Sequence, residues 1–277
     1  MRDLVAQLLS SLVDVVAERD YFRRQDLVSI DDMMTWTYVF FDLETTMDAK
    51  KQVVEIGHVA RRFVDGAWTS AGPDFQTLVR LDRDVDDVAL GTHFHHISRE
   101  MLMEDGVPCF EQAMETWTMT LRQVASLSTC LVLVAHNGLA FDVKCLVSQY
   151  GDGFWSLMAT VGVTHFLDTM QAFRDMKRRG VVTSAGLQSV YSTFIDQPVE
   201  AHRALGDSLA LCRIVELLGI RGGVTEWNHV ERQQRLKRKR LVKRKGRRRL
   251  CESERLSWSE WSSLELNLVS FYSACGV

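Results

Sequence analysis

The stretch from Thr37 to Gly57, TYVFFDLETTMDAKKQVVEIG, decides the fold. An apolar run (Tyr38, Val39, Phe40, Phe41) leads directly into Asp42 and Glu44, and a second (Val53, Val54, Ile56) follows. Strands this apolar are usually buried, and a buried carboxylate is costly unless something compensates it. Alternate residues of a strand share a face, so Asp42 and Glu44 project side by side. Two like charges at the end of a buried strand call for a reason.

Outward from this stretch, an α/β pattern unfolds. Val53 to Val64 reads as a second strand, Asp65-Gly66 as a hairpin turn, and Ala67 to Val79 as a third strand broken around Gly72-Pro73. Phe110 to Leu127 has a helical pattern, CLVLVAHNG (130–138) is a short buried strand ending in a turn, and Phe141 to Tyr150 is helical. THFLD (164–168) is another strand. Ser184 is placed to cap a helix from Ala185 to Ile195, and a last long helix covers Leu205 to Leu218. Three early strands followed by alternating helices and strands give a sheet layered with helices. Ahead of it, Leu4, Leu8, Leu12, Val15 and Val16 keep a helical period.

Composition excludes several classes of function. The 277 residues are 46% hydrophobic, enough for one sizeable domain plus extensions. No run approaches the roughly 20 apolar residues that span a bilayer, and Asp14, Glu18, Arg19 and Asp20 interrupt the N-terminal apolar pattern in a way that a signal peptide does not. The protein is therefore expected to be neither secreted nor transmembrane. The cysteines at 109, 130, 145, 212, 251 and 275 form no CxxC pair, which fits a reducing compartment and neither a zinc ribbon nor a disulfide scaffold. The net charge of −3 conceals an asymmetry. Of the 33 basic residues 12 fall in ERQQRLKRKRLVKRKGRRRL (231–250) with one of the 36 acids, which leaves 21 against 35 elsewhere. Such a segment reads as a nuclear localisation signal (basic cluster 235–249), an arm for polyanions, or a solvated end. The expected organisation is an N-terminal helical extension (1–34), a central α/β domain (35–222) and a basic C-terminal tail (223–277).

Three places set acids against local burial. Asp42 and Glu44 end the first strand, Asp142 follows HNGLAF after the CLVLVA strand, and Asp207 lies in AHRALGDSLALC five residues after His202. Singly, each has a plain explanation as a solvated or capping acid. Converging, with no basic partner expected among them, four carboxylates repel strongly. Hard divalent cations relieve that repulsion, and all-oxygen donors suit Mg²⁺ or Mn²⁺ rather than Zn²⁺. Two such ions support phosphoryl transfer, with a nearby histidine as general base. His202 and Asp207, five apart, are about 140° apart on a regular helix, so His202 is expected in the loop before the helix, which begins near Ala204 or Leu205. His58, His93, His95 and His96 read as structural or solvated, and Trp155, Trp258 and Trp261 as core or tail residues.

FDLETT, HNGLAFD and HRALGD, in that order, resemble the three motifs of the DEDDh 3′–5′ exonucleases. The step from His136 to Asp142 and the form HRALGDSLALC are most similar to the three-prime repair exonuclease (TREX) branch, and HHISREML (95–102) and FLDTM (166–170) fall where that superfamily has comparable segments. The resemblance covers residues 36–220. It implies a ribonuclease H-like α/β fold with a mixed five-stranded sheet. It also implies that Asp42 bridges two Mg²⁺ ions (Mn²⁺ substituting), that Glu44 and Asp207 complete the first site, that Asp142 supports the second, and that His202 is the general base. Leu43, Thr45, His136 and Asn137 beside the motifs, and Lys237, Arg238, Lys239, Arg240, Lys243, Arg244 and Lys245 in the tail, are the candidate nucleic-acid contacts. Single-stranded or frayed DNA is the implied substrate, with RNA the alternative and a non-catalytic nucleic-acid or chromatin-binding protein a further one. A homodimer and an import receptor bound to 231–250 are the implied partners. The sequence departs from the family where Met47-Asp48 replaces a usual glycine.

Overall fold

The computed structural model describes residues 36–64, 66–126, 128, 130–197, 201–220 and 224–237. The N-terminal helical pattern, Trp258, Trp261 and the tail residues Arg238, Lys239, Arg240, Lys243, Arg244 and Lys245 lie outside them. The chain divides after Trp227 into two units.

The first unit is built on a mixed sheet. Its strands are β1 (Trp36–Thr45), β2 (Val53–Val64), β3 (Ala67–Ser70), β4 (Phe75–Leu78), β5 (Cys130–Ala135), β6 (Val163–Asp168) and β7 (Thr225–Glu226). The order is β3-β2-β1-β5-β6-β7, with β4 also paired to β2. β1, β5 and β6 run parallel, and β2 and β7 are antiparallel to their neighbours. The sheet thus has seven strands where five were expected. β3 and β4 follow one another along β2, as the break at Gly72-Pro73 foretold, so the true addition is the two-residue β7. Val64 pairs with Ala67 across the turn at Gly66, whose φ of 80° is one that glycine adopts without steric cost.

The helices are α1 (Asp87–Leu90), α2 (Thr92–His95), α3 (Arg99–Met103), α4 (Phe110–Ala125), α5 (Asp142–Tyr150), α6 (Gly153–Val161), α7 (Met170–Arg178), α8 (Leu187–Phe194) and α9 (Ala204–Leu218). α8 starts later than expected. Gly186 caps it without a side-chain bond, and Ser184 Oγ accepts the Gly186 N–H in a turn instead. The sequence reading had no place for α6 or α7. Trp227 is buried against Trp155, and its Nε1 donates to the Trp155 carbonyl at 3.2 Å.

The two faces of β1 are covered differently. Phe41 packs on the buried Trp117 of α4. Tyr38 and Phe40 belong to a core with Val59, Phe173, Val190, Leu211 and Val215, drawn from β2, α7, α8 and α9. By strand alternation Asp42 and Glu44 continue this second face. No helix among the described residues is long and apolar enough to cross a membrane. Cys109, Cys130, Cys145 and Cys212 are free thiols.

In the second unit, residues 228–237 are helical and carry an Arg235–Glu231 ion pair at 2.7 Å. Lys237 is exposed there.

Candidate active site

The end of β1 brings the acids together. Beyond Phe40 its parallel pairing to β5 stops, while pairing to β2 goes on through Asp42↔Gly57 and Glu44↔Glu55. The register slips between Glu44 and Thr45, leaving Val54 as an extra residue on β2. Bulges of this kind re-aim side chains at the rims of sheets. Asp42 and Glu44 are half-buried, and each offers an oxygen within 4.8 Å of one from Asp207.

Asp207 arrives from the first turn of α9, where the helix dipole favours a carboxylate. The helix crosses β2 at Gly57, where a Cβ would stand 2.3 Å from the Leu205 nitrogen, so no larger residue fits without moving the helix. Ser208 Oγ lies within hydrogen-bond reach of the Gly57 carbonyl at 3.1 Å and of the Ala204 carbonyl at 2.7 Å. Gln188 Nε2 donates to Asp207 Oδ1 at 2.5 Å, and the His202 backbone N–H donates to Oδ2 at 3.2 Å.

His202 precedes α9, as the helical offset required, in the left-handed conformation at φ 62°. A non-glycine residue there is uncommon. Its ring lies against exposed Phe94, centroids 4.2 Å apart. Phe94 has no signal in the sequence beyond its place two residues before His96.

Asp142 opens α5 and is buried, with Oδ1 lacking a hydrogen-bond partner. It lies outside the tight trio, but its charge is felt at Asp42. The turn before it is braced by Asp168, which accepts the N–H groups of Asn137 at 2.9 Å, Leu139 at 3.1 Å and Met170 at 3.0 Å. Gly138 is needed here because a Cβ would come within 2.5 Å of the Ala135 Cβ. His136 turns its Nδ1 to Thr169 Oγ1 at 3.0 Å. Leu43 and Thr45 alternate onto the opposite face of β1 and are buried, so their side chains do not join the acids.

Burial, and then mutual repulsion, raises the proton affinity of the cluster. Glu44 is pushed up to about 8 by burial and by the charges of Asp207, Glu55 and Asp142, with Arg203 opposing. Asp142 is pushed up to about 8 by burial, with Asp168 adding to the effect and the Asp142 and Leu43 backbone N–H groups opposing it. Asp42 is held well above its usual range by burial and by Asp142, Asp207, Glu44 and Glu55, and Asp207 is raised by burial. Carboxylates this costly to ionise fit a divalent cation, since the donors are all oxygen and Asp142 Oδ1 has nothing else to bind.

One expectation fails. A cation does lie among the motifs: Arg203, inside HRALGD, pairs with the fully buried Glu55 at 2.6 Å. Glu55 and Gly57 stood in view in VEIG, but their importance comes from a cross-strand register that no local pattern encodes. His58 and His95 are buried structural groups as expected. His58 Nδ1 accepts from Trp117 Nε1 at 3.0 Å, and His95 Nε2 lies 2.9 Å from the Leu90 carbonyl.

The family model for the RNase_T exonucleases matches residues 39–215, a span that holds all five motif residues. Exonuclease DPD1, chloroplastic/mitochondrial, of Arabidopsis thaliana is 26% identical over 191 residues, covering 66% of this chain and 56% of its own length. The chain thus spans little more than half of that relative. The zinc-bound E. coli exonuclease I–single-stranded DNA complex superposes with a TM-score of 0.50 at 14% identity, over 68% of this chain and 41% of that one. The crystal structure of cell-death related nuclease 4 (CRN-4) gives 0.48 at 17% identity, over 69% and 66%.

Proposed function

The chain belongs to the RNase_T exonuclease family, and from that premise we propose that it is a metal-dependent 3′–5′ exonuclease releasing nucleoside 5′-monophosphates from single-stranded or frayed DNA ends. The observation that carries this reading is the set of carboxylate oxygens of Asp42, Glu44 and Asp207 within 4.8 Å, beside the partnerless Oδ1 of buried Asp142. Two Mg²⁺ ions, or Mn²⁺, would be held by Asp42, Glu44, Asp142 and Asp207, and would supply charge for the scissile phosphate and a water more easily deprotonated.

The chain's own residues do the rest. Gln188 and the His202 N–H take up lone pairs of Asp207 and fix where its carboxylate points. His202, in a left-handed turn beside that carboxylate, accepts a proton from the attacking water. Asp168 holds the Asn137–Leu139 turn from which Asp142 is presented, and His136 and Asn137 on that turn contact the nucleic acid.

Single-stranded DNA, the ligand of the E. coli exonuclease I complex, is the substrate in this reading, and DNA degradation or repair its setting. The catalytic domain is assigned to 35–222, with 1–34 and 223–277 as extensions, the second of which begins by adding β7 and Trp227 to the first unit. The basic segment 231–250 engages phosphates or an import receptor and directs the protein to the nucleus, and a sheet edge supports a homodimer. The test is digestion of matched end-labelled DNA and RNA oligonucleotides with Mg²⁺, Mn²⁺ or chelator. DNA shortened from its 3′ end to mononucleotides supports the proposal. Preferential loss of RNA assigns the activity to RNA, and no metal-dependent loss of either removes it.

A further inference from the structure

Glu55 is a fifth acid at the site, and its surroundings differ from those of the other four. It stands opposite Glu44 in the β1–β2 register and is completely buried. Its carboxylate accepts from Arg203 Nη2 at 2.6 Å and Nε at 3.2 Å, from the Ala204 N–H at 2.8 Å, and from Gln76 Nε2 at 2.8 Å. Arg203 links His202 to α9, and Ala204 is the first residue of α9. One carboxylate on β2 therefore fixes both the helix that carries Asp207 and the turn that carries His202.

A neutral cap would serve a helix start about as well. Burying an anion beside four others is costly unless a cation accompanies it. The charge of Glu55 reaches Asp42 and Glu44, and that of Arg203 opposes it at Glu44. The two must therefore act as a unit. We propose that Glu55 and Arg203 are positioning residues for the cleavage reaction, a neutral pair that docks the start of α9 over β1 and leaves the site with the charge of four carboxylates, matched to two divalent cations. This rests on the metal-binding reading above, and adds that the match in charge is set by residues that do not bind the metal.

The test is calorimetric titration of Mn²⁺ into the full chain and into Glu55→Gln, Arg203→Met and the double variant, each checked for folding by circular dichroism. Glu55→Gln leaves the Arg203 charge uncompensated by Glu55 and is expected to weaken Mn²⁺ binding on the order of tenfold. Arg203→Met is expected to bind as tightly as the parent or more tightly, and the double variant to return to within about twofold of the parent. A purely structural pair predicts instead that both single changes weaken binding and that the double is no better than either. That result overturns the proposal. Should Arg203→Met fail to fold, Arg203→Lys keeps the charge and is expected to hold Mn²⁺ at parental affinity with a lower kcat, and loss of binding there overturns the proposal equally. A parent that binds no Mn²⁺ overturns the metal reading and this inference together, whereas a parent that binds while Glu55→Gln matches it overturns this inference alone.

Discussion

One face of β1 has two halves. At Tyr38 and Phe40 it lies under the body of α9 and its neighbours, dry and apolar. Two and four residues on, at Asp42 and Glu44, the same face lies under the start of α9 and holds carboxylates that burial makes costly to ionise. The first half stabilises the fold. The second spends part of that stability on a site. Strand, face and covering helix are shared, so the difference lies in the side chains that meet: Tyr38 and Phe40 with Leu211 and Val215 along α9, Asp42 and Glu44 with Asp207 in its first turn.

Substitutions in the two halves should therefore fail in opposite ways. Asp42→Ala or Asp207→Ala is expected to abolish cleavage while the metal-free melting temperature holds level or rises, because like charges are removed. Wild-type rates in Mg²⁺ from either variant would sink the assignment. His202→Ala should cost on the order of 10²- to 10⁴-fold in rate and bind Mn²⁺ as the parent does. A near-parental turnover would remove His202 from the mechanism. On the apolar half, Phe40→Ala should cost about 3–5 kcal/mol of stability, read from denaturant unfolding, with activity retained in the fraction still folded. A selective loss of activity at full stability would mean that the halves are not separate. Gly57→Ala places a Cβ 2.3 Å from the Leu205 nitrogen. It is expected to cost about 1–3 kcal/mol and to lower activity further by shifting Asp207 and His202 together. Parental stability and rate would show that α9 is not seated on Gly57.

The apolar half was readable from sequence because strand pattern is local: the bounds of β2 come straight from Val53 and Val64, and Asp42, Glu44, Asp142, His202 and Asp207 from their motifs. The supports of the acidic half were not. Glu55, Gly57, Gln188 and Asp168 act across the fold, through register and helix crossing rather than through spacing along the chain. Arg203 was visible inside HRALGD, yet its role depends on a partner 148 residues away. The short helices α1 to α3 and the helix α6 escaped because their apolar positions are too few or too evenly spread to show a period, whereas α7 keeps one at Met170, Phe173 and Met176 but over only nine residues.

The most direct test of the account is the pH dependence of melting with and without Mg²⁺. The signs follow from the shifted groups. Glu44 and Asp142 are raised to about 8 in the folded chain from ordinary values near 4, so without metal their stabilising contribution is fully present only below the ordinary value and is lost as pH rises towards about 8. His58 is lowered to about 4 by burial and works the other way, its contribution complete above about 6.5 and lost as pH falls towards 4. Between about pH 6.5 and 8 the acids therefore act without it. In that window the melting temperature in chelator should fall as pH rises, and saturating Mg²⁺ should cancel the fall, with a larger metal-induced gain at each higher pH. A flat profile in chelator, or a fall that Mg²⁺ leaves unchanged, would contradict the claim that this repulsion is kept in order to bind cations.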